Sequence, residues 1–335
     1  MQFQSKMSIE TTSVISITIL LWVVLIILDL GTSGLIAMVS EIPFKKVFLW
    51  GLTSLALPPL FILYGTLIGR NLYHVNKETI YFQNLPEAFD GYRIVHISDI
   101  HARSFVRRSG SLSKAAGLIN GLKPDIIAFT GDLVTISSDE IDGISHILSS
   151  LEATDGIFSV LGNHDYGIYD DSSRNRSAAI LRARNEMKEK ETALGWNLLL
   201  NDSRTIRRGT DSIAVIGVEN TSSSKHFPSF GNLGKASEGT EGMFRILLTH
   251  DPLHWQSEAA GNDYPLTLSG HTHAMQLSFF GWTPSSLIFP QSMGLYKDGM
   301  NYLYINIGLG ETLFPARIGA RPEITLITLK KERTE

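Results

Sequence analysis

Arg93-Ile94-Val95-His96-Ile97-Ser98-Asp99-Ile100-His101 decides the fold. Residues 93–98 read as a buried strand, and the strand runs directly into a carboxylate and an imidazole two positions apart. The construction recurs down the chain. Residues 126–130 lead into Gly131-Asp132, residues 157–161 into Gly162-Asn163-His164-Asp165, and residues 245–249 end in Thr249-His250. The short apolar run 266–268 precedes Gly270-His271-Thr272-His273. Ligand-type residues placed where strands end converge on one sheet edge, which is where α/β proteins build their sites. Five of the ten histidines fall in these blocks, a concentration that points to a two-metal centre.

The residue types fit that chemistry. Two cations roughly 3.5–4 Å apart can clamp a phosphate, lower the pKa of water and stabilise both apical oxygens of an in-line displacement. Such a pair needs a bridging anionic oxygen, for which Asp132 is the candidate, while Asp99 supplies a second carboxylate. His101, His250, His271 and His273 add imidazole nitrogens, and Asn163 a neutral amide oxygen. The mixture suits Mn, Fe or Zn better than Ca or Mg alone, with Mn favoured. His164 directly follows a ligand position, so it is the candidate acid for the leaving oxygen. Asp165 is expected to fix its tautomer and raise its basicity. A metal-bound hydroxide would be the nucleophile, and the chain has no cysteine to compete for that role.

The five blocks in this order resemble the calcineurin-like metallophosphoesterase superfamily, with its D-x-H, G-D, G-N-H-D/E, H and G-H-x-H pattern. Gly294-Leu295-Tyr296, Leu303-Tyr304-Ile305-Asn306 and Gly308-Leu309-Gly310 resemble its membrane-associated bacterial branch. The resemblance implies a four-layer αββα sandwich and hydrolysis of a phosphate ester or anhydride. It puts Asp99, His101, Asp132 and His273 on one metal and Asp132, Asn163, His250 and His271 on the other. Arg103, where a small residue is common, and Ile307, where an Arg is common, depart from the pattern without touching a ligand position. His74, His96, His146, His226 and His254 read as satisfied or solvent-exposed. His254 is the first exception to consider, four residues past a ligand position.

The amino terminus has a different character. Residues 11–28 carry no charge, and residues 47–69 are uncharged over a length able to cross the hydrocarbon core. We read residues 1–75 as a membrane anchor of two transmembrane helices, about 11–30 and 47–69, with Pro58 and Pro59 kinking the second. No cleavable signal pattern follows the first stretch. A hairpin would bring Met1 and the catalytic domain to the same face of a bacterial inner membrane. Lys6, Arg70 and Lys77 against Lys45 and Lys46 favour the cytoplasmic side. A net charge of −4 gives no support for a nucleic-acid partner.

Residues 76–335 form the enzyme domain in this reading. Residues 78–82 are an expected edge strand; residues 111–122, 139–151 and 177–194 are expected helices. Further strands are expected at 212–218, 245–249, 266–268, 302–307 and 323–329, and a long loop over 221–242. Buried runs early and more alternating runs late predict two sheets face to face with helices outside. Leu277-Ser278-Phe279-Phe280-Gly281-Trp282 is unusually apolar, and is expected to line an acyl-chain approach or to touch a membrane interface. The partners expected are therefore a bilayer and a phosphate-containing, lipid-linked substrate. A UDP-2,3-diacylglucosamine-type pyrophosphatase of lipid A synthesis is the alternative enzyme reading. A non-catalytic membrane-anchored scaffold is the alternative from another class.

Overall fold

The computed structural model describes residues 2–170, 175–222 and 224–333. They divide into two compact units. The first comprises the amino terminus to Arg70 together with Leu313–Ile318, and the second Asn71–Thr312 and the chain from Gly319 onward. The second unit opens at Asn71, and its first strand begins at His74. The return of 313–318 to the first unit has no sequence signal.

In the first unit, α1 (Gln2–Val39) contains the apolar span Thr11–Val39, and a second span covers Phe44–Asn71. Both are long and apolar enough to cross a bilayer. The second is assembled from α2 (Phe44–Gly51), a 3₁₀ turn and α3 (Leu57–Leu67). Pro58 and Pro59 therefore open α3 rather than kink a continuous helix. The first turn tolerates proline because its N–H groups have no intrahelical partner. Asp29 is buried with Ser33 donating to it at 3.1 Å, and its carboxylate occupies the space a Cβ on Gly51 would need. The Arg317 carbonyl fits against Gly69 in the same way.

The second unit is built on twelve strands. The first six are β1 (His74–Phe82), β2 (Arg93–Ile97), β3 (Ile126–Phe129), β4 (Gly156–Ser159), β5 (Asn197–Leu198) and β6 (Asp202–Arg208). The rest are β7 (Asp211–Gly217), β8 (Phe244–Leu248), β9 (Leu266–Ser269), β10 (Gly294–Asp298), β11 (Asn301–Ile305) and β12 (Glu323–Lys331). They form two six-stranded sheets, ordered β1-β12-β2-β3-β4-β5 and β10-β11-β9-β8-β7-β6. Ile94, Ile126 and Phe158 from one sheet join Val215, Ile246 and Leu268 from the other in a single apolar layer. The opposite face of the first sheet is covered by α4 (Ser109–Gly121), α5 (Ser145–Leu148) and α6 (Arg176–Ala193). The outer face of the second packs on α7 (Leu233–Ala236) and the turn at Trp255–Ala259. The result is the four-layer αββα arrangement expected from the sequence.

Three expectations need correction. The later strands do not alternate: β8 and β9 are buried nearly throughout, in a sheet where β7, β8, β9 and β11 run parallel and β6 and β10 pair antiparallel at the edges. The centre of that sheet is buried on both faces, and helix-covered parallel strands give continuous apolar runs. The helix expected over 139–151 breaks into a 3₁₀ turn at Ser138–Ile141 and the single turn of α5, interrupted at Gly143. Within the expected loop 221–242, α7 forms one short turn capped by Asn232.

Candidate metal centre

The blocks follow β2, β3, β4, β8 and β9, all at carboxyl ends of strands paired in parallel. Leaving the strands is conformationally costly here. Asp99, His101, Asp132, His271 and His273 all adopt positive φ, between 43° and 74°. Left-handed backbone at a non-glycine residue costs on the order of 1–3 kcal/mol, and persists where surrounding structure imposes it. The turns also touch. A Cβ on Gly131 would come within 2.5 Å of the Gly162 nitrogen, and one on Gly270 within 2.5 Å of the Asp99 carboxylate. Glycine at these two positions lets backbone from different strands close around the site.

The side chains meet in three overlapping groups: Asp99, His101 and His273; His101, Asp132 and His164; Asp132, His250 and His271. Within each, the ligand atoms lie within 4.8 Å of one another. Nε2 of His273 is 3.2 Å from Asp99, and Nε2 of His250 is 3.3 Å from Asp132. Nε2 of His101 lies 3.7 Å from the same Asp132 oxygen. Ring nitrogens of His250 and His271 approach to 3.2 Å. Asp132 thus stands between the groups, where a bridging carboxylate is needed.

The electrostatics suit a cation. Burial opposes ionisation of Asp132, but His250 and His164 outweigh it and hold the carboxyl well below its ordinary value. For His250 burial disfavours the charged form, yet Asp132 prevails and pushes the pKa up to about 10. Burial and then His164 and His273 drive His101 well below the ordinary histidine range, so it stands as a neutral lone-pair donor. Asn163 is buried with its side-chain oxygen lacking any hydrogen-bond partner. A buried orphan acceptor costs about 1–3 kcal/mol unless something electropositive meets it. Two carboxylates, converging imidazoles and an orphan amide oxygen fit a pair of divalent cations.

His164 lies beside this cluster, its ring 4.8 Å from that of His101 and nearly perpendicular to it. Its Nδ1 sits 2.7 Å from the Thr135 carbonyl. A carbonyl only accepts, so Nδ1–H donates and Nε2 is left to exchange a proton with substrate. Asp165 does not hold this ring, contrary to expectation. Its carboxylate instead accepts N–H bonds from Asp132 and Gly162, both 2.8 Å, and from Val134 at 3.1 Å. In the tight turn after Asn163 the Asp165 carboxylate is directed to these three backbone N–H groups, while the His164 ring bonds Thr135. Burial and then the Asp132 charge raise its pKa, while the N–H donors pull the other way.

Sequence reasoning did not single out Thr135, nor three aromatic rings around the centre. Tyr169 stacks on His164 at 4.3 Å, while Phe227 and Phe289 meet His271 edge-on at 6.2 and 5.6 Å. No spacing marks them, because each reaches the site from a loop. His254 is not a member of the three groups; its Nδ1 bonds the Thr249 hydroxyl at 3.0 Å. His96 is buried beneath the centre against Thr130.

Comparison with known proteins points the same way. The calcineurin-like phosphoesterase family model matches residues 92–275. The metallophosphoesterase YkuE of Bacillus subtilis is 32% identical over 282 residues, covering 80% of this chain and 89% of that one. A zebrafish (Danio rerio) transmembrane protein with a metallophosphoesterase domain is 30% identical over 83% of this chain, which spans 62% of that protein. The UDP-2,3-diacylglucosamine pyrophosphatase LpxG of Chlamydia trachomatis is 28% identical over 77% of this chain and 90% of its own length.

Proposed function

The chain belongs to the calcineurin-like phosphoesterase family and is a phosphate-ester hydrolase, and from that premise we propose a membrane-anchored enzyme acting on lipid-linked phosphate. The observation carrying the chemistry is the sharing of His101 and Asp132 between neighbouring ligand groups. One cation would be held by Asp99, His101, Asp132 and His273, the other by Asp132, Asn163, His250 and His271. Bound divalent cations supply Lewis acidity at the phosphoryl oxygens and a nucleophile from water at neutral pH. Mn is the favoured ion, with Fe and Zn as alternatives.

The chain's own groups then have separate tasks. His164, with Nδ1–H fixed on the Thr135 carbonyl, presents Nε2 to the leaving oxygen and delivers a proton to it. Asp165 acts through the backbone, keeping the Gly131-Asp132 and Gly162-Asn163 turns at their spacing. Tyr169 closes one side of His164 and limits its rotation.

Two features support a lipid-linked substrate: the two membrane-length helices, and similarity to a pyrophosphatase named for a diacylated sugar nucleotide. That relative favours a second reading, cleavage of a UDP-diacylglucosamine-type anhydride. A scaffold without catalysis is disfavoured by the complete donor set. The test is incubation of detergent-solubilised full-length protein and Mn²⁺ with a nucleotide-linked diacylated sugar, phospholipids, monoesters and soluble diesters. Hydrolysis favouring lipid-linked phosphate is expected. Release of UMP from the nucleotide-lipid alone selects the second reading, and turnover of soluble substrates alone overturns both. We also propose that the domain faces the cytoplasm; digestion of it from the periplasmic side of sealed vesicles overturns that orientation.

A further inference from the structure

Phe279 and Trp282 close a two-residue hairpin, each backbone N–H donating to the other's carbonyl at 2.9 Å. The two residues at its tip, Phe280 and Gly281, have φ of 51° and 84°. This is the geometry of a type I′ turn, whose first position favours Asn, Asp or Gly. A phenylalanine there is unfavourable twice over. Its Cβ crowds the backbone in the left-handed region, and its ring is fully exposed, touching no part of the core. Nothing in the fold accounts for Phe280.

The neighbourhood repeats the pattern. Trp282, Leu287 and Ile288 are 51%, 78% and 62% exposed, and no charged side chain occurs between His273 and Lys297. Large contiguous apolar surface on a folded domain marks a place meant to be covered. The segment is nevertheless tied to the fold. The Thr283 hydroxyl donates to the Ala274 carbonyl, and Phe279 pairs back onto Trp282. At one end it starts from His273, and at the other Phe289 lies against His271.

We propose that this hairpin and the adjoining Leu287-Ile288 turn dock into the surface of a lipid bilayer, bringing the mouth of the metal centre to the headgroups. The inference rests on reading the two apolar helices as membrane spans. Chain connectivity then argues for a bilayer rather than another protein. The chain passes between anchor and domain three times, at residues 70–71, 312–313 and 318–319, with no linker. The second span ends at Asn71 and β1 begins at His74, so only two residues of chain lie between them. Within the domain, the Ser278 carbonyl packs directly on Gly319, the residue at which the chain leaves the anchor unit for the last time. Trp and Phe beside uncharged small residues suit the interfacial region, where amphipathic rings partition.

The absence of cysteine makes the test clean. Phe280→Cys, Leu287→Cys and, as an exposed control, Ser149→Cys would each carry a bimane fluorophore in the full-length protein. Each would be reconstituted in phosphatidylethanolamine–phosphatidylglycerol vesicles with or without doxyl-labelled lipid. We expect a blue shift and loss of emission with doxyl lipid at 280 and 287, and neither at 149. Emission at 280 as water-like as at 149 overturns the proposal. So does a blue shift already present in detergent and insensitive to doxyl lipid, which would mark a second copy of the chain as the occupant. The readout needs no turnover, so it separates from the substrate reading. Quenching without lipid hydrolysis keeps the docking and sinks the lipid substrate, and the reverse result sinks only the docking. Phe280→Ser with Trp282→Ser should lower turnover of vesicle-borne substrate while leaving a soluble aryl phosphodiester unchanged; equal losses on both count against the proposal.

Discussion

His101 and His273 present their Nε2 atoms to each other at 3.0 Å, although 172 positions and a change of sheet separate them. His101 leaves the first sheet after β2, and His273 leaves the second after β9. Imidazole nitrogens this close either share a proton in a hydrogen bond or turn their lone pairs toward a common cation. With Asp99 at 3.2 Å from His273, the arrangement fits a cation where the two sheets meet.

Asp132 belongs to two of the ligand groups, whereas His271 belongs to one. Asp132→Asn should therefore reduce bound metal at both positions, and His271→Ala at one. Elemental analysis of folded, manganese-loaded variants reads this directly. Equal stoichiometry in the two variants would contradict a bridging role for Asp132. Activity should fall by more than about 100-fold in each, the scale on which even outer ligand partners act.

His164→Ala should separate chemistry from assembly. The ring donates to the Thr135 carbonyl, and its two partners, His101 and Asp132, each belong to a second ligand group, so metal content should stay near that of the unaltered protein. Loss of a positioned acid costs about 10²–10⁴-fold in turnover. The deficit should shrink with substrates whose leaving group is a weakly basic phenolate, since these need no proton. A uniform deficit across leaving groups would assign His164 a structural role.

Asp165→Ala should behave unlike a residue acting on the His164 ring. Removing its carboxylate strands the N–H groups of Asp132, Gly162 and Val134, at about 1–3 kcal/mol for each buried donor left unmet. The expected result is a lower melting temperature and weaker metal retention, with an unshifted pH profile of turnover in whatever activity survives. A shifted profile at normal stability would restore the direct contact that the structure lacks.

These residues also show what is legible in advance. The ligand blocks can be read because each sits at the end of a strand whose apolar run is visible in sequence, as at Ile94–Ile97 before Asp99. Parallel pairing then leaves little choice about which edge they share. Asp165 misleads because adjacency in sequence does not imply side-chain contact when a 3₁₀ turn reverses the chain between neighbours. Tyr169 and Phe289 are invisible for a related reason: their loops are positioned by tertiary contacts that no periodicity encodes. The break at Gly143 shows the limit of propensity, where an apolar pattern of helical spacing folds as two short turns.

Glu191 on α6 is fully buried, with the Ser159 hydroxyl of β4 donating to one oxygen and the other oxygen unmet. Burial drives its pKa well above the ordinary glutamate value, and Asp165 adds to the rise. A raised pKa means that the folded state holds the proton more tightly than the unfolded chain. Stability must then fall as pH rises from about 4.5 toward the folded-state pKa. Glu191→Gln keeps the acceptor for Ser159 and removes the titration. Its melting temperature should match the unaltered protein near pH 5 and exceed it at pH 8. Each tenfold difference in proton affinity between the folded and unfolded chain is worth about 1.4 kcal/mol, or roughly 2–4 °C in a domain of this size. Asp165 titrates in both proteins, so the difference between their pH–melting curves reports Glu191 together with its interaction with Asp165. Parallel curves would mean that Glu191 is ionised in the folded enzyme.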